Sequence, residues 1–152
     1  MKVEYNTSTS WFLNQCSKLK YKDKDCLEVK QYTDNKLFTP YELYKSMNHR
    51  WMDYFIIIDT NINKIVCTIA LDIQCNLHYF VTIDLDPKNT RRFIKTIKQL
   101  ADETILKRKV VFVTTSNFYQ EAIKFNKLIG MKCYEVDSVK NISKWYYSKE
   151  DC

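Results

Sequence analysis

Residues 53–108 read DYFIIIDTNINKIVCTIALDIQCNLHYFVTIDLDPKNTRRFIKTIKQLADETILKR, and the hydrophobic period of this stretch changes once. Residues 53–59, 64–71 and 77–85 are rich in β-branched and aromatic side chains, which suit a pleated, half-buried surface. The gaps between them, Thr60-Asn61-Ile62-Asn63 and residues 72–76, are too short for a parallel crossover, so the three runs predict an antiparallel meander. From about Asn89 to Arg108 the period becomes helical. Phe93, Ile97, Leu100 and Thr104 fall on one stripe, Ile94, Ala101 and Ile105 widen it, and Arg91, Lys95 and Lys98 mark another face.

Downstream, residues 110–113 form a continuous apolar run that predicts a fully buried strand. Ser116 or Asn117 then caps a helix with Ala122, Phe125 and Ile129 inward, and Gly130 stands where a helix end needs a left-handed residue. Residues 131–136 and 143–147 read as two last strands. Upstream, residues 1–6 read as a strand, and the hydroxyls of Thr7-Ser8-Thr9-Ser10 cap a helix carrying Trp11, Phe12, Cys16 and Leu19. Residues 18–25 are expected to be a charged connector. Leu27, Val29 and Gln31 alternate as a short strand, and Thr39-Pro40 opens a helix to about Arg50 with Leu43 and Met47 inward. The order βα(β)αβββαβαββ describes one α+β domain over residues 1–152 with a mixed central sheet.

Composition narrows the function classes. A chain of 152 residues would carry about 10 glycines at the average usage of roughly 7%, yet it has one, Gly130. Phosphate loops that rely on several glycines, such as a P-loop or a Rossmann turn, cannot be written in it. A net charge of +6 favours polyanions weakly. The first residues contain no apolar signal-peptide core, and the longest apolar run, Phe55-Ile56-Ile57-Ile58, is too short to span a membrane, so action in a cytoplasm or in a particle assembled there is expected. The six cysteines include no C-x-x-C pair, and with only His78 and His49 as imidazoles no metal site is expected. The thiols read as reduced, with Cys67 and Cys133 packed as small hydrophobes.

The element order, a β-meander, long helix, strand, helix and two C-terminal strands, resembles the GNAT N-acetyltransferase fold. Ala122-Ile123-Lys124-Phe125-Asn126-Lys127-Leu128-Ile129-Gly130-Met131 is similar to the family segment in which a helix ends at glycine before an apolar strand start. Val81-Thr82-Ile83-Asp84-Leu85-Asp86-Pro87 is similar to the family's entrance to the acetyl-CoA helix. The departures fall on the chemistry that the resemblance implies. Where the family has a glycine-rich diphosphate loop, this chain has Lys88-Asn89-Thr90-Arg91-Arg92-Phe93-Ile94-Lys95, leaving Arg91, Arg92 and Lys95 as weak cofactor-binding candidates. The family tyrosine that protonates the leaving thiolate aligns with Asn126, and an amide is no proton donor at neutral pH. The family asparagine aligns with Tyr119, with Asn117 two residues away. Thr7-Ser8-Thr9, His78-Tyr79-Phe80-Val81-Thr82 and the basic helix after Arg91 also resemble the small GNAT-like internal virion proteins of short-tailed bacteriophages.

That combination implies a non-catalytic phage protein of the virion or its assembly, in the virion or host cytoplasm, without cofactor and with other virion proteins as partners. The alternatives are an acetyl-CoA-dependent N-acetyltransferase with an atypical cofactor loop, and a small protein binding a host factor or nucleic acid. His78 is the candidate base for the enzyme reading; as a plain residue it is a strand histidine bonded to a neighbour. Asp84 is an amine-recognition candidate or, beside Asp86-Pro87, a turn residue. Tyr146 and Tyr147 face opposite sides of a strand, so at most one can reach a groove. Arg91, Arg92, Lys95 and Lys98 would contact phosphates in a nucleic-acid reading, and otherwise form a solvated helix face beside Asp102 and Glu103.

Overall fold

The computed structural model describes residues 1–22, 37–39, 41–46, 51–108, 110–117 and 120–148. Strand β1 (Lys2–Asn6) leads into helix α1 (Thr9–Ser17), where Ser8 in an extended conformation accepts the Trp11 N–H on its hydroxyl at 3.3 Å. A two-residue antiparallel pair, β2 (Tyr21–Lys22) and β3 (Leu37–Phe38), precedes helix α2 (Tyr41–Ser46). The meander follows as β4 (Trp51–Asp59), β5 (Lys64–Asp72) and β6 (Leu77–Val81). A 3₁₀ turn at Pro87–Asn89 runs into helix α3 (Thr90–Arg108), then come β7 (Val110–Ser116), α4 (Gln120–Leu128), β8 (Lys132–Asp137) and β9 (Ile142–Ser148).

The strands form one antiparallel sheet in the order β1-β4-β5-β6 and another in the order β7-β9-β8. Among the described residues the two sheets meet at one parallel bridge, Asn76 with Phe112, fastened by the Phe112 N–H on the Cys75 carbonyl at 2.9 Å. The mixed character of the sheet reduces to this bridge. Register fixes the faces of β6: Tyr79 lies opposite Ile69, and His78 opposite Ala70. Ile69 belongs to the main core, where Phe93, Ile97 and Leu100 of α3 pack as the 3.6 period requires. Ala70 belongs to a second cluster with Phe12 and Cys16 of α1 and Tyr44 of α2. Successive strand residues face opposite sides, so the two clusters lie on opposite faces of the first sheet.

Several expectations are corrected. Residues 18–25 are not simply a connector, because Tyr21 is fully buried and its hydroxyl lies 3.0 Å from Thr68 Oγ1, a long-range pairing with no local signature. Strand β7 is not fully buried over residues 110–113: Val111 and Val113 are buried but Val110 and Phe112 are only half-buried, since one face alone meets the core. Cys133 is exposed on β8, whose residues from Lys132 to Val136 all face solvent, whereas Cys67 is buried as expected. Strand β6 stops at Val81 because Thr82 turns the chain, its hydroxyl donating to the Ile65 carbonyl at 2.9 Å and accepting the Asp84 N–H. The expected strand at Leu27, Val29 and Gln31, together with Pro40 and Met47, lies outside the described residues, as does the side chain of Leu43. No described helix is long and apolar enough to cross a membrane.

Gly130 ends α4 at φ +91°, with its N–H on the Lys127 carbonyl and the Met131 N–H on the Asn126 carbonyl. A side chain there would be strained by the backbone conformation alone.

Candidate functional site

Beyond the Asn76–Phe112 bridge the sheets part, and α3 and α4 flank the opening. The result is a cleft of about 540 Å³. Consecutive residues Tyr79, Phe80, Val81 and Thr82 line it, as happens where an edge strand is met side-on, and Thr90, Phe93 and Ile94 of α3 face Lys124, Phe125 and Leu128 of α4.

At its inner end three elements contribute one polar group each. The Tyr79 hydroxyl of β6 donates to Asn126 Oδ1 of α4 at 3.1 Å, and Asn126 Nδ2 donates to Thr115 Oγ1 of β7 at 2.8 Å. Asn126 is fully buried, so its amide satisfies two neighbours instead of water. Apolar rings hold the phenol: Tyr79 and Phe125 have centroids 5.3 Å apart, and Phe125 stacks on Phe93 at 5.5 Å. Asn126 aligns with the proton donor of the resemblance, and the structure sets a phenol from strand β6 against it. Tyr79 is the residue that sequence reasoning missed. It stands in the quoted run His78-Tyr79-Phe80, but which member of an alternating run faces the gap is settled by register.

The outer end is fastened differently. Asp86 caps the 3₁₀ turn, its Oδ1 accepting the Lys88 N–H at 2.9 Å while its carbonyl takes the Asn89 N–H at 2.8 Å. The Thr90 N–H and hydroxyl both bond the Pro87 carbonyl. Asp59 at the end of β4 is fully buried and accepts Arg92 Nη2 at 3.2 Å, Asn89 Nδ2 at 3.2 Å and the Asn61 N–H at 3.0 Å. The backbone donors of Lys88, Asn89 and Thr90 are thus occupied by the chain itself.

The sequence candidates distribute as follows. Arg92 is tied to Asp59, while Arg91, Lys95 and Lys98 are exposed on α3. His78 lies on the face opposite Tyr79, with Nε2 3.7 Å from Asp72 Oδ2, so it has a carboxylate neighbour. Asp72 is itself held by the N–H groups of Gln74 and Asn76. Asp84 pairs with Lys64 at 3.4 Å, and Asp86 is the cap just described. Asn117 sits in the turn after β7 with its N–H on the Asn141 carbonyl, and Tyr119 lies outside the described residues. Tyr146 and Tyr147 do face opposite sides, and the buried Tyr147 donates its hydroxyl to Asp102.

Four buried groups are held in their protonated forms. Burial pushes the Cys16 thiol up to about 12 and also raises the Cys67 thiol and the Tyr21 and Tyr44 phenols. These buried thiols hold their protons and are poor nucleophiles.

Neither a family model nor a curated protein matches the sequence. Solved structures match its shape. A chimera of the Vibrio cholerae spermidine N-acetyltransferase SpeG with hSSAT superposes with a TM-score of 0.60 at 10% identity, covering 99% of this chain and 98% of its own. An acetyltransferase of the GNAT family from Bacillus anthracis gives 0.61 at 11% identity over 99% and 96%. The chain has the GNAT fold. The V. cholerae SpeG in complex with manganese ions agrees, with a TM-score of 0.59 at 12% identity over 99% and 94%. These GNAT-fold structures correct the expectation of a non-catalytic virion component: the proteins sharing the fold along nearly the whole chain are acetyltransferases, and nothing in them points to phage particles.

Proposed function

We propose that the protein is an acetyl-CoA-dependent N-acetyltransferase whose cofactor entrance is atypical. One observation carries the reading: the cleft ends on a phenol, Tyr79, oriented by a buried amide, where the sequence had suggested that the proton donor was lost. Acetyl-CoA would supply an acyl group activated as a thioester. The cleft fits its long arm. Phe93, Ile94, Phe125 and Leu128 shield a thin chain from water, and past Val81 the β6 backbone is bridged by Tyr21 to Thr82.

The phosphate end departs from a glycine loop, because the N–H groups of Lys88, Asn89 and Thr90 are already bonded and Arg92 is held by Asp59. Side-chain cations take over that task in this reading: Lys124 lines the cleft, and Arg91 and Lys95 are exposed on the first turns of α3. Transfer forms one N–C bond and breaks one C–S bond. Tyr79 Oη returns a proton to the leaving sulfur, Asn126 Oδ1 orients that phenol, and the amine gives up its proton to water, since His78 lies on the other face of the sheet.

Acetyl-CoA at about 100 times its dissociation constant should stabilise the chain by about 2.7 kcal/mol in a thermal melt. Acetyl transfer to a panel of primary amines, polyamines included, should then be measurable. No melting shift at saturating ligand, with no transfer to any amine, would sink the reading.

A further inference from the structure

Behind Tyr79 and Phe125 lies a second, smaller hollow of about 20 Å³. Those two rings line both it and the cleft. The hollow continues under the joint between the sheets, where Leu77, Ile97, Leu100, Ala101 and Met131 present hydrocarbon and Tyr147 presents its ring. The hydroxyl of Tyr147 is committed to Asp102 and that of Tyr79 to Asn126. A water needs polar partners as well as roughly 10–15 Å³, and a space with such walls favours an apolar guest.

We propose that this hollow receives the alkyl tail of a short acyl group, so that the protein prefers propionyl or butyryl thioesters of coenzyme A to acetyl-CoA. The inference rests on the N-acetyltransferase reading. The cations of Arg91, Lys95 and Lys124 draw the diphosphate to the outer end of the cleft, which leaves the thioester at the other end, against Tyr79 and Phe125. An acetyl group ends there. One or two further carbons press between the two rings, whose centroids stand 5.3 Å apart, toward the apolar space behind them, and each exchanges water for hydrocarbon contact.

Calorimetric titration of the full chain with CoA and with acetyl-, propionyl-, butyryl- and hexanoyl-CoA, without acceptor amine, tests this independently of turnover. Affinity should rise about fourfold per added methylene up to butyryl and stop rising at hexanoyl. Ala101→Leu, which fills the hollow, should abolish the rise, and Leu100→Ala, which enlarges it, should extend the rise to hexanoyl; either result alone reads the site if the other variant fails to fold. Equal affinities for acetyl- and butyryl-CoA, or a chain-length order unchanged in a folded variant, overturn the inference while the enzyme reading stands. Failure of CoA and every thioester to bind overturns both.

Discussion

At the inner end of the cleft a phenol, an amide and a hydroxyl from β6, α4 and β7 line up across the gap between the sheets, whereas at the outer end the polar groups close on one another. The inner chain runs from buried Thr115 through buried Asn126 to a hydroxyl at the cleft wall. The outer network spends its donors on Asp86, Pro87 and Asp59. A polar group is available for chemistry when its partners leave it one degree of freedom. It serves architecture when its partners use that freedom up.

The contrast breaks most readily at Tyr79. Tyr79→Phe removes the hydroxyl and keeps the ring against Phe125, so amine acylation should fall by roughly 10²–10⁴-fold, while calorimetry finds CoA bound as before. Turnover within a few-fold of the parent would make the inner chain as architectural as the outer one. The next effect belongs to stability. Asp59→Ala strands Asn89 Nδ2, the Asn61 N–H and a guanidinium that is partly exposed, and should cost about 2–3 kcal/mol in urea denaturation. An unchanged midpoint would mean that the outer network does not hold the entrance to α3.

Gly130→Ala should cost more than about 1 kcal/mol, because φ is +91° whereas the nearest side-chain atom, Tyr147 Cε2, stands at an ordinary 3.5 Å. Strain and not crowding is tested here, so Gly130→Asn should be milder than Gly130→Ala in the same melt. The smallest change sharpens the comparison by its sign. Asp86→Ala should lose about 1 kcal/mol of stability as a cap is removed. It also releases the Lys88 N–H and deletes a negative charge near the outer end, so CoA affinity should rise by about two- to fivefold. Weaker CoA binding in a folded Asp86→Ala protein would show that the cap orders the entrance for its ligand.

The meander and the helix after it were legible because hydrophobic period is a local property: a strand burying one face repeats in two and a helix in 3.6, whatever lies above them. The stripe Phe93, Ile97, Leu100 and the left-handed Gly130 are where that pattern placed them. The reading of Asn126 left Tyr79 out for an equally physical reason. Aligning one helix position with a family's tyrosine says nothing of a phenol that a strand brings beside it. The error about Cys133 is of the same kind, since alternation marks two faces and does not say which has a partner layer.

Residue order thus carried the α+β class, the element sequence, the missing glycine loop and the glycine that ends α4, all of which depend on backbone preferences within a few neighbours. Tertiary structure settled the rest. The register of Ile69 with Tyr79 turned one hydroxyl of many toward the gap, and the parting of the sheets after Asn76 and Phe112 made the cleft. Asp59 met Arg92 across 33 positions of chain. Such contacts form between segments whose separation in sequence puts no constraint on their chemistry, and they become fixed when burial makes each unpaired polar group cost more than the chain can lose.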